Sequence, residues 1–405
     1  MAKRSGHADL PLHHGRVPQW LALRMQKLGG AIVETIVQDY GKDEVLRRLS
    51  DPFWFQALGC VLGMDWHSSG ITTSVMGALK RAINPISKEL GIYICGGRGK
   101  QSLKTPHELM DVADRTGLNG LELVRASKLS AKVDNTALQD GYQLYLHNFI
   151  LTDDGKWAVV QQGLNDTNGM ARRYHWHSHE LTSFVNNPHK YVIGSNQGLI
   201  LNLTHQEADP TRSAILDMTQ QNPQVITKEA TKLTMPRHHD VRSKDVHIKR
   251  LGSILALLQD QEVVKDFETL LLTKGLGPRT LQSLALVSEV VYGTPTRFQD
   301  PARFSFAHGG KDGHPFPVPT KVYDQTIEQL RQSLNRAKLG HNDKKQAFKR
   351  LHEKALRIEK DFKPNRRFED LIQKERKDAH KYGGRTVFGK AKPPTSSQLG
   401  LFDNQ

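Results

Sequence analysis

Apolar positions recur at helical spacing from Leu21 through Val33, Ile36 and Val37 to about Tyr40, where Gly41 offers a stop. A second apolar run spans Pro52 to Gly63, and the spacing predicts another helix from Thr72 to Ile83. Residues 91–95 read as a short buried strand that runs into a flexible basic loop, Gly96 to Lys100. The period then drops to two. Residues 142–150 alternate, Asp153, Asp154 and Gly155 can turn, and residues 156–161 return, which predicts a β-hairpin. Residues 164–242 are rich in His, Asn, Gln and Thr and show no legible boundaries. Residues 246–292 read as helical with a hairpin in the middle, 293–322 as Gly- and Pro-rich and irregular, and 323–362 as a charged helical pair with a break at Gly340.

These elements predict an α+β fold, mainly helical. The expected parts are a helical N-terminal domain (1–135), a mixed region with the hairpin (136–242), a helix-hairpin-helix domain with a Gly-rich loop (243–322) and a charged helical extension (323–382). A disordered basic tail is expected to follow (383–405), too poor in apolar residues to fold alone.

Composition narrows the function classes. The chain has 405 residues, room for two or three domains with cores of their own. No stretch approaches the roughly 18 apolar residues of a membrane span. The first residues, Met1 to His7, have no apolar run behind them, so no secretory signal is expected. The expected location is the cytoplasm, at the nucleoid, with no membrane partner. Cys60 and Cys95 sit in apolar surroundings and read as buried free thiols; two isolated cysteines cannot build a four-cysteine metal centre. Lys and Arg exceed Asp and Glu by 57 to 42, a formal net charge of +15. That surplus favours a polyanionic partner, because neutralising phosphates releases counterions.

One motif gives the surplus a place to act. The stretch Leu271–Leu281 follows one apolar helix and opens another, with Gly275 and Gly277 flanking Leu276. The glycines permit a tight turn and close backbone approach. Pro278 favours a helix start, whose free amides and positive dipole end make an anion site. Lys274 and Arg279 add charge, and Thr280 completes the string. This is the helix-hairpin-helix pattern, which binds DNA backbone without reading sequence. The residues expected to meet DNA are Lys274, Gly275, Gly277, Arg279 and Thr280, with Arg98 and Lys100 from the basic loop.

The same region resembles the helix-hairpin-helix DNA glycosylases of the endonuclease III type over about residues 250–312. There the hairpin is followed by a helix, a Gly/Pro loop and a catalytic Asp; here the helix leads through Gly293 and Pro295 to Asp300. The resemblance implies Asp300 as the carboxylate that stabilises positive charge on the sugar as the base leaves. The family's lyase lysine would fall at Arg279, which cannot serve as a neutral amine nucleophile. The iron–sulfur cysteines of many members are absent.

The last residues contain Gln398, Leu399, Gly400, Leu401 and Phe402. Gln-Leu-x-Leu-Phe resembles the peptide with which bacterial replication and repair proteins dock on the sliding clamp. Leu399, Leu401 and Phe402 would fill an apolar pocket while Gln398 makes a directed hydrogen bond. The expected partners are therefore DNA and the clamp.

Other reactive residues cluster. Residues 304–315 form a Gly-rich loop carrying His308, Lys311 and Asp312, and these join Asp300 as catalytic candidates. Asp9 and His13, and Asp65 and His67, are candidate metal ligands. They would hold Mg²⁺ or Mn²⁺ if the protein is a nuclease; no cofactor is otherwise expected. His175, His177 and His179 suit one face of a strand, yet the run from Arg172 to His177 reads equally as a basic–aromatic contact to nucleic acid.

Over residues 4 to about 325 the chain resembles a bacterial and archaeal family known only as domain of unknown function 763. The carrying phrases are residues 8–13, 50–57, 65–69, 139–145 and 307–313. That family implies no activity. The expected function is a DNA-repair enzyme recruited by the clamp, cutting by base excision or at the phosphodiester. A metal-dependent nuclease and a non-catalytic DNA-binding factor stand as alternatives, and RNA remains open as the nucleic acid.

Overall fold

The structure is a computed structural model that describes residues 17–64, 69–167, 169–232, 252–253, 255–256, 264–304, 318–319, 327, 378–386 and 389–390. The chain divides into two compact units. One comprises residues 13–45, 53–92 and 309–405, the other residues 1–12, 46–52 and 93–308.

In the first unit, helix α1 (Gln19–Tyr40) buries Leu21, Met25, Leu28, Val33 and Ile36, a stripe at the predicted helical spacing. Helix α2 (Lys42–Leu49) crosses the division between the units at Leu46. Helices α3 (Pro52–Val61), α4 (Gly70–Ile83) and α5 (Ser87–Leu90) follow.

Strand β1 (Ile92–Arg98) leads into the second unit. Helices α6 (Thr105–Thr116) and α7 (Gly120–Lys132) form a hairpin, and a π turn, Val133–Ala137, ends α7. The strands β2 (Leu138–Gln139), β3 (Gln143–Thr152), β4 (Trp157–Asn165), β5 (Met170–His177), β6 (Tyr191–Ile193) and β7 (Leu199–Asn202) come next. Helices α8 (Asp209–Thr219), α9 (Pro223–Lys232), α10 (Phe267–Leu272) and α11 (Pro278–Tyr292) precede β8 (Arg297–Gln299) and β9 (Ala302–Phe304).

The main sheet has the order β1-β3-β4-β5-β6-β9. The predicted hairpin supplies two of its inner strands: β3 and β4 pair antiparallel from Gln143↔Leu164 to Leu151↔Trp157, with a bulge between Leu144 and Leu146. The parallel pair β6–β9 brings residues more than a hundred positions apart to the sheet's end. A smaller sheet has the order β2-β7-β8. One core runs through this unit, from Leu109 and Leu123 through Phe149, Trp157 and Trp176 to Leu281 and Leu284. The expected domain boundaries at 135 and 242 both fall inside the unit.

Three expectations are corrected. Residues 96–98 continue β1, and residues 99–104 form a 3-10 turn, in place of a flexible loop. The irregular segment 293–322 contains β8 and β9, because partners distant in sequence, β7 and β6, offer edges to pair with. Within the expected tail, β11 (Gly384–Thr386) pairs with β10 (Val318–Pro319) and β12 (Gly389–Lys390). Backbone pairing of this kind needs no apolar side chains, so poverty in apolar residues did not forbid it. The helical pair expected at 323–362 lies outside the described residues apart from Ile327. Among the described residues neither Cys60 nor Cys95 is in a disulfide; Cys95 is buried and Cys60 half-buried. Among the described residues no helix is long and apolar enough to cross a membrane.

Candidate nucleic-acid interface

The turn between α10 and α11 is built from both ends. The Asp266 carboxylate caps α10 by accepting the Thr269 amide at 2.7 Å. The chain then reverses over Thr273 to Gly277. Gly275 has φ +90°, the left-handed region that disfavours any side chain with a Cβ. Leu276 is pulled into the core (1% exposed), while Lys274 and Gly275 face solvent. Helix α11 opens at Pro278, and the amides of Thr280 and Leu281 turn back to the Gly277 carbonyl at 3.1 and 3.0 Å.

Neighbouring side chains occupy the carbonyls of this turn. The Lys132 ammonium, at the end of α7, donates to the Leu276 carbonyl at 2.6 Å. The Gln139 amide donates to the Pro278 carbonyl at 2.9 Å. Burial lowers the Lys132 pKa from its ordinary value. The amides of Gly277 and Arg279 have no backbone acceptor among the described residues. The Lys274 and Arg279 side chains are exposed, with no ion pair among the described residues. A helix N-terminus with its carbonyls taken and its amides open is a place for an anion. Thr280 is buried, and its hydroxyl has no hydrogen-bond partner among the described residues.

Asp300 lies elsewhere, inside the same unit. Its carboxylate receives the Arg172 Nη1 and Nη2 groups at 3.0 and 2.8 Å and the amides of Ala302 and Gln197 at 3.0 and 2.9 Å. Arg172 also binds Asp140 at 2.9 Å and the Ser195 carbonyl at 2.6 Å. All three charged side chains are fully buried. Burial pushes the Arg172 pKa down, but Asp140, Tyr174 and Asp300 outweigh it and raise it. Burial raises Asp140, against the pull of Arg172. The Arg172 Nε has no hydrogen-bond partner among the described residues. With four donors on its two oxygens and no exposure, Asp300 is placed to hold Arg172 and the β8–β9 turn, and it does not face a surface where DNA could lie.

A second buried network occupies the sheet face that carries Tyr174. The Asp134 carboxylate, in the turn after α7, accepts the Gln161 amide at 2.6 Å and the Trp176 indole at 3.0 Å, and pairs closely with His189. Gln161 thus turns its carbonyl oxygen to His147 Nδ1 at 2.8 Å. That sets the proton on Nδ1, so His147 Nε2 accepts from the Ser127 hydroxyl at 2.8 Å. Burial, opposed by the Gln161 bond, lowers the His147 pKa to about 4. Burial also raises Asp134, with His189 and Trp176 acting against it.

The opposite face carries Arg173 and His175. Arg173 Nε donates to His175 Nε2 at 2.9 Å, and His175 Nδ1 donates to the Leu49 carbonyl at 3.1 Å. Burial lowers Arg173 to about 9 and drives His175 well below the ordinary histidine value. The run Arg172–Trp176 is therefore interior to the protein, which corrects its reading as an exposed contact to nucleic acid. Of the three alternate histidines, His175 is buried, His177 half-buried and His179 exposed.

Arg98 and Lys100 are exposed at the end of β1. His308, Lys311, Asp312, Asp9, His13, Asp65, His67, Gln398, Leu399, Leu401 and Phe402 lie outside the described residues. Among the described residues no three His, Cys, Asp or Glu side chains are grouped to hold a metal ion. Sequence reasoning missed Lys132 and Gln139 as braces of the turn, and Asp134 and Asp140 as buried anchors. No local pattern marks them, since each acts on a residue far along the chain.

This chain belongs to the DUF763 family. The family profile, described as a protein of unknown function, matches residues 6–318. The DUF763 region contains the α10–α11 turn, both buried networks and the end of β1. No curated protein and no solved structure matches the chain.

Proposed function

We propose that this DUF763 protein binds DNA by its phosphate backbone through the α10–α11 turn, as a helix-hairpin-helix, and serves DNA processing or repair. The observation that carries the reading is the turn itself. Open amides head a 15-residue helix, Gly275 allows close approach, and exposed Lys274 and Arg279, without an ion pair among the described residues, add positive charge. The formal charge of +15 adds a long-range attraction to polyanions.

Base excision through Asp300 loses support, because that carboxylate is sealed against Arg172. Backbone binding without a base-excision carboxylate is the reading this geometry favours. A nuclease activity would draw on His308, Lys311, Asp312 or the Asp9, His13, Asp65 and His67 groups. Docking on the sliding clamp through Gln398, Leu399, Leu401 and Phe402 is a further part of the proposal, resting on the sequence of the tail.

The test is binding of labelled duplex DNA across a salt series. Wild-type protein should show a steep fall of affinity with salt. Lys274→Ala and Arg279→Ala should each lower the slope by about one, since each phosphate neutralised contributes about one. No binding by the wild type, or unchanged slopes in both variants, overturns the reading. Incubation of end-labelled substrates with and without chelator then separates nuclease from binding factor.

A further inference from the structure

A second cationic surface stands at the same end of the α6–α7 pair as the turn. The two helices are joined by only three residues, and Gly120 at the start of α7 abuts Met110 and Ala113 of α6, so they run antiparallel. The start of α6 therefore lies beside the end of α7, where Lys132 holds Leu276. Residues 99–104 lead into that start of α6.

A second path of contacts gives the same placement. The Arg98 guanidinium lies 5.8 Å over the Tyr145 ring. Tyr145 follows Leu144, whose amide donates to Asn135 Oδ1 at 3.2 Å. Asn135 is three residues beyond Lys132. Lys128 is exposed on the α7 face it shares with Lys132. Cations thus continue from Lys274 and Arg279 by way of Lys128 to Arg98, Lys100 and Lys104, all of them exposed.

The segment is held firmly. Gly96 has φ +89°, and a Cβ there would meet the His147 carbonyl at 2.3 Å. Its amide donates to the Glu108 carboxylate at 2.7 Å. Ser102 Oγ donates to the Gly99 carbonyl at 2.6 Å, and Thr105 Oγ1 to the Ser102 carbonyl at 2.7 Å. The 3-10 geometry stacks residues i and i+3, so Lys100 and Leu103 share an edge. Leu103 is 80% exposed. Some minor-groove proteins insert an apolar side chain between base steps, at an unstacking cost that is smaller where stacking is already broken.

We infer that Arg98–Lys104 is a second contact on the same DNA, resting on the backbone-binding reading above. Lys100 and Lys104 grip phosphates, and Leu103 presses into an unstacked step. The protein then prefers nicked or mismatched duplex to intact duplex.

Salt-dependent binding to intact and nicked duplexes of the same sequence tests this. The Lys100→Ala/Lys104→Ala double variant should lose about two from the salt slope on both duplexes. Leu103→Ala should abolish the preference for the nick, a change of about tenfold in the ratio of the two affinities. A wild-type slope in the double variant, or an undiminished nick preference in Leu103→Ala, overturns the inference. If Arg279→Ala still lowers the slope in that case, backbone binding at the turn stands without this second contact. If the wild-type protein binds neither duplex, the underlying reading has failed instead.

Discussion

Two charged regions of the same unit follow opposite rules. Around Arg172, each charge is buried and met by a counter-charge, with Asp140 on one side and Asp300 on the other. At the α10–α11 turn, Lys274 and Arg279 are exposed and meet nothing among the described residues. A buried charge must be paired because its desolvation otherwise costs several kcal/mol, whereas an exposed one is held by water and can exchange that water for a phosphate. Arg172 is therefore committed to the fold, and Arg279 is available to a partner. Residue type did not separate them.

The largest expected effect would break the buried side of this contrast. Arg172→Met leaves Asp140 and Asp300 buried and unpaired, and should cost about 3–5 kcal/mol in a denaturant titration. Arg172→Lys should recover little of it, since a lysine cannot make the bidentate pair with Asp300.

Acid should act on the same buried interior. The folded His147 pKa of about 4 lies below the unfolded value near 6.5. Between these values the unfolded chain binds more protons, so stability is full above pH 6.5 and falls as the pH drops toward 4. The complete loss is on the order of 3 kcal/mol. Denaturant midpoints at pH 7 and pH 4.5 would read it, and His147→Gln should flatten part of the slope. His175, also held neutral by burial, should account for more of it.

Asp300→Asn sharpens the comparison directly. It removes one charge from the pair with Arg172 and should lower stability by about 2–3 kcal/mol. Affinity of the folded protein for duplex DNA should stay unchanged. A stable Asp300→Asn protein that had lost a base-excision activity would return this carboxylate to catalysis.

Smaller effects belong to the exposed side. Gly275→Val forces a β-branched residue to φ +90° and should cost about 1–3 kcal/mol while weakening DNA binding. Arg279→Ala should change stability by under about 0.5 kcal/mol while lowering the salt slope. That split between stability and binding is the opposite of the Arg172→Met result.

Helix α1, the β3–β4 hairpin, the helical start at Pro278 and the turn at Gly275 were all legible in the chain. Each rests on local rules: apolar period, turn residues, a proline at the first helical position and a glycine where φ is positive. Strands β8 and β9 were not legible, because a three-residue segment becomes a strand only when a partner edge is presented to it. The Gly96–Lys100 segment read as flexible for the same reason, since Glu108 and the Tyr145 ring fix it from outside.

The chain by itself determined the positive charge, the periodic elements and the chemistry of the α10–α11 turn, because these depend on residue types and near neighbours. Tertiary structure alone decided which charges are spent and which are open. It buried Arg172, Arg173 and His175 in a strand that looked fit for a surface, and it drew Asp300 onto an arginine 128 positions away. Desolvation and pairing depend on what surrounds a group in space, and that is set only when distant segments meet.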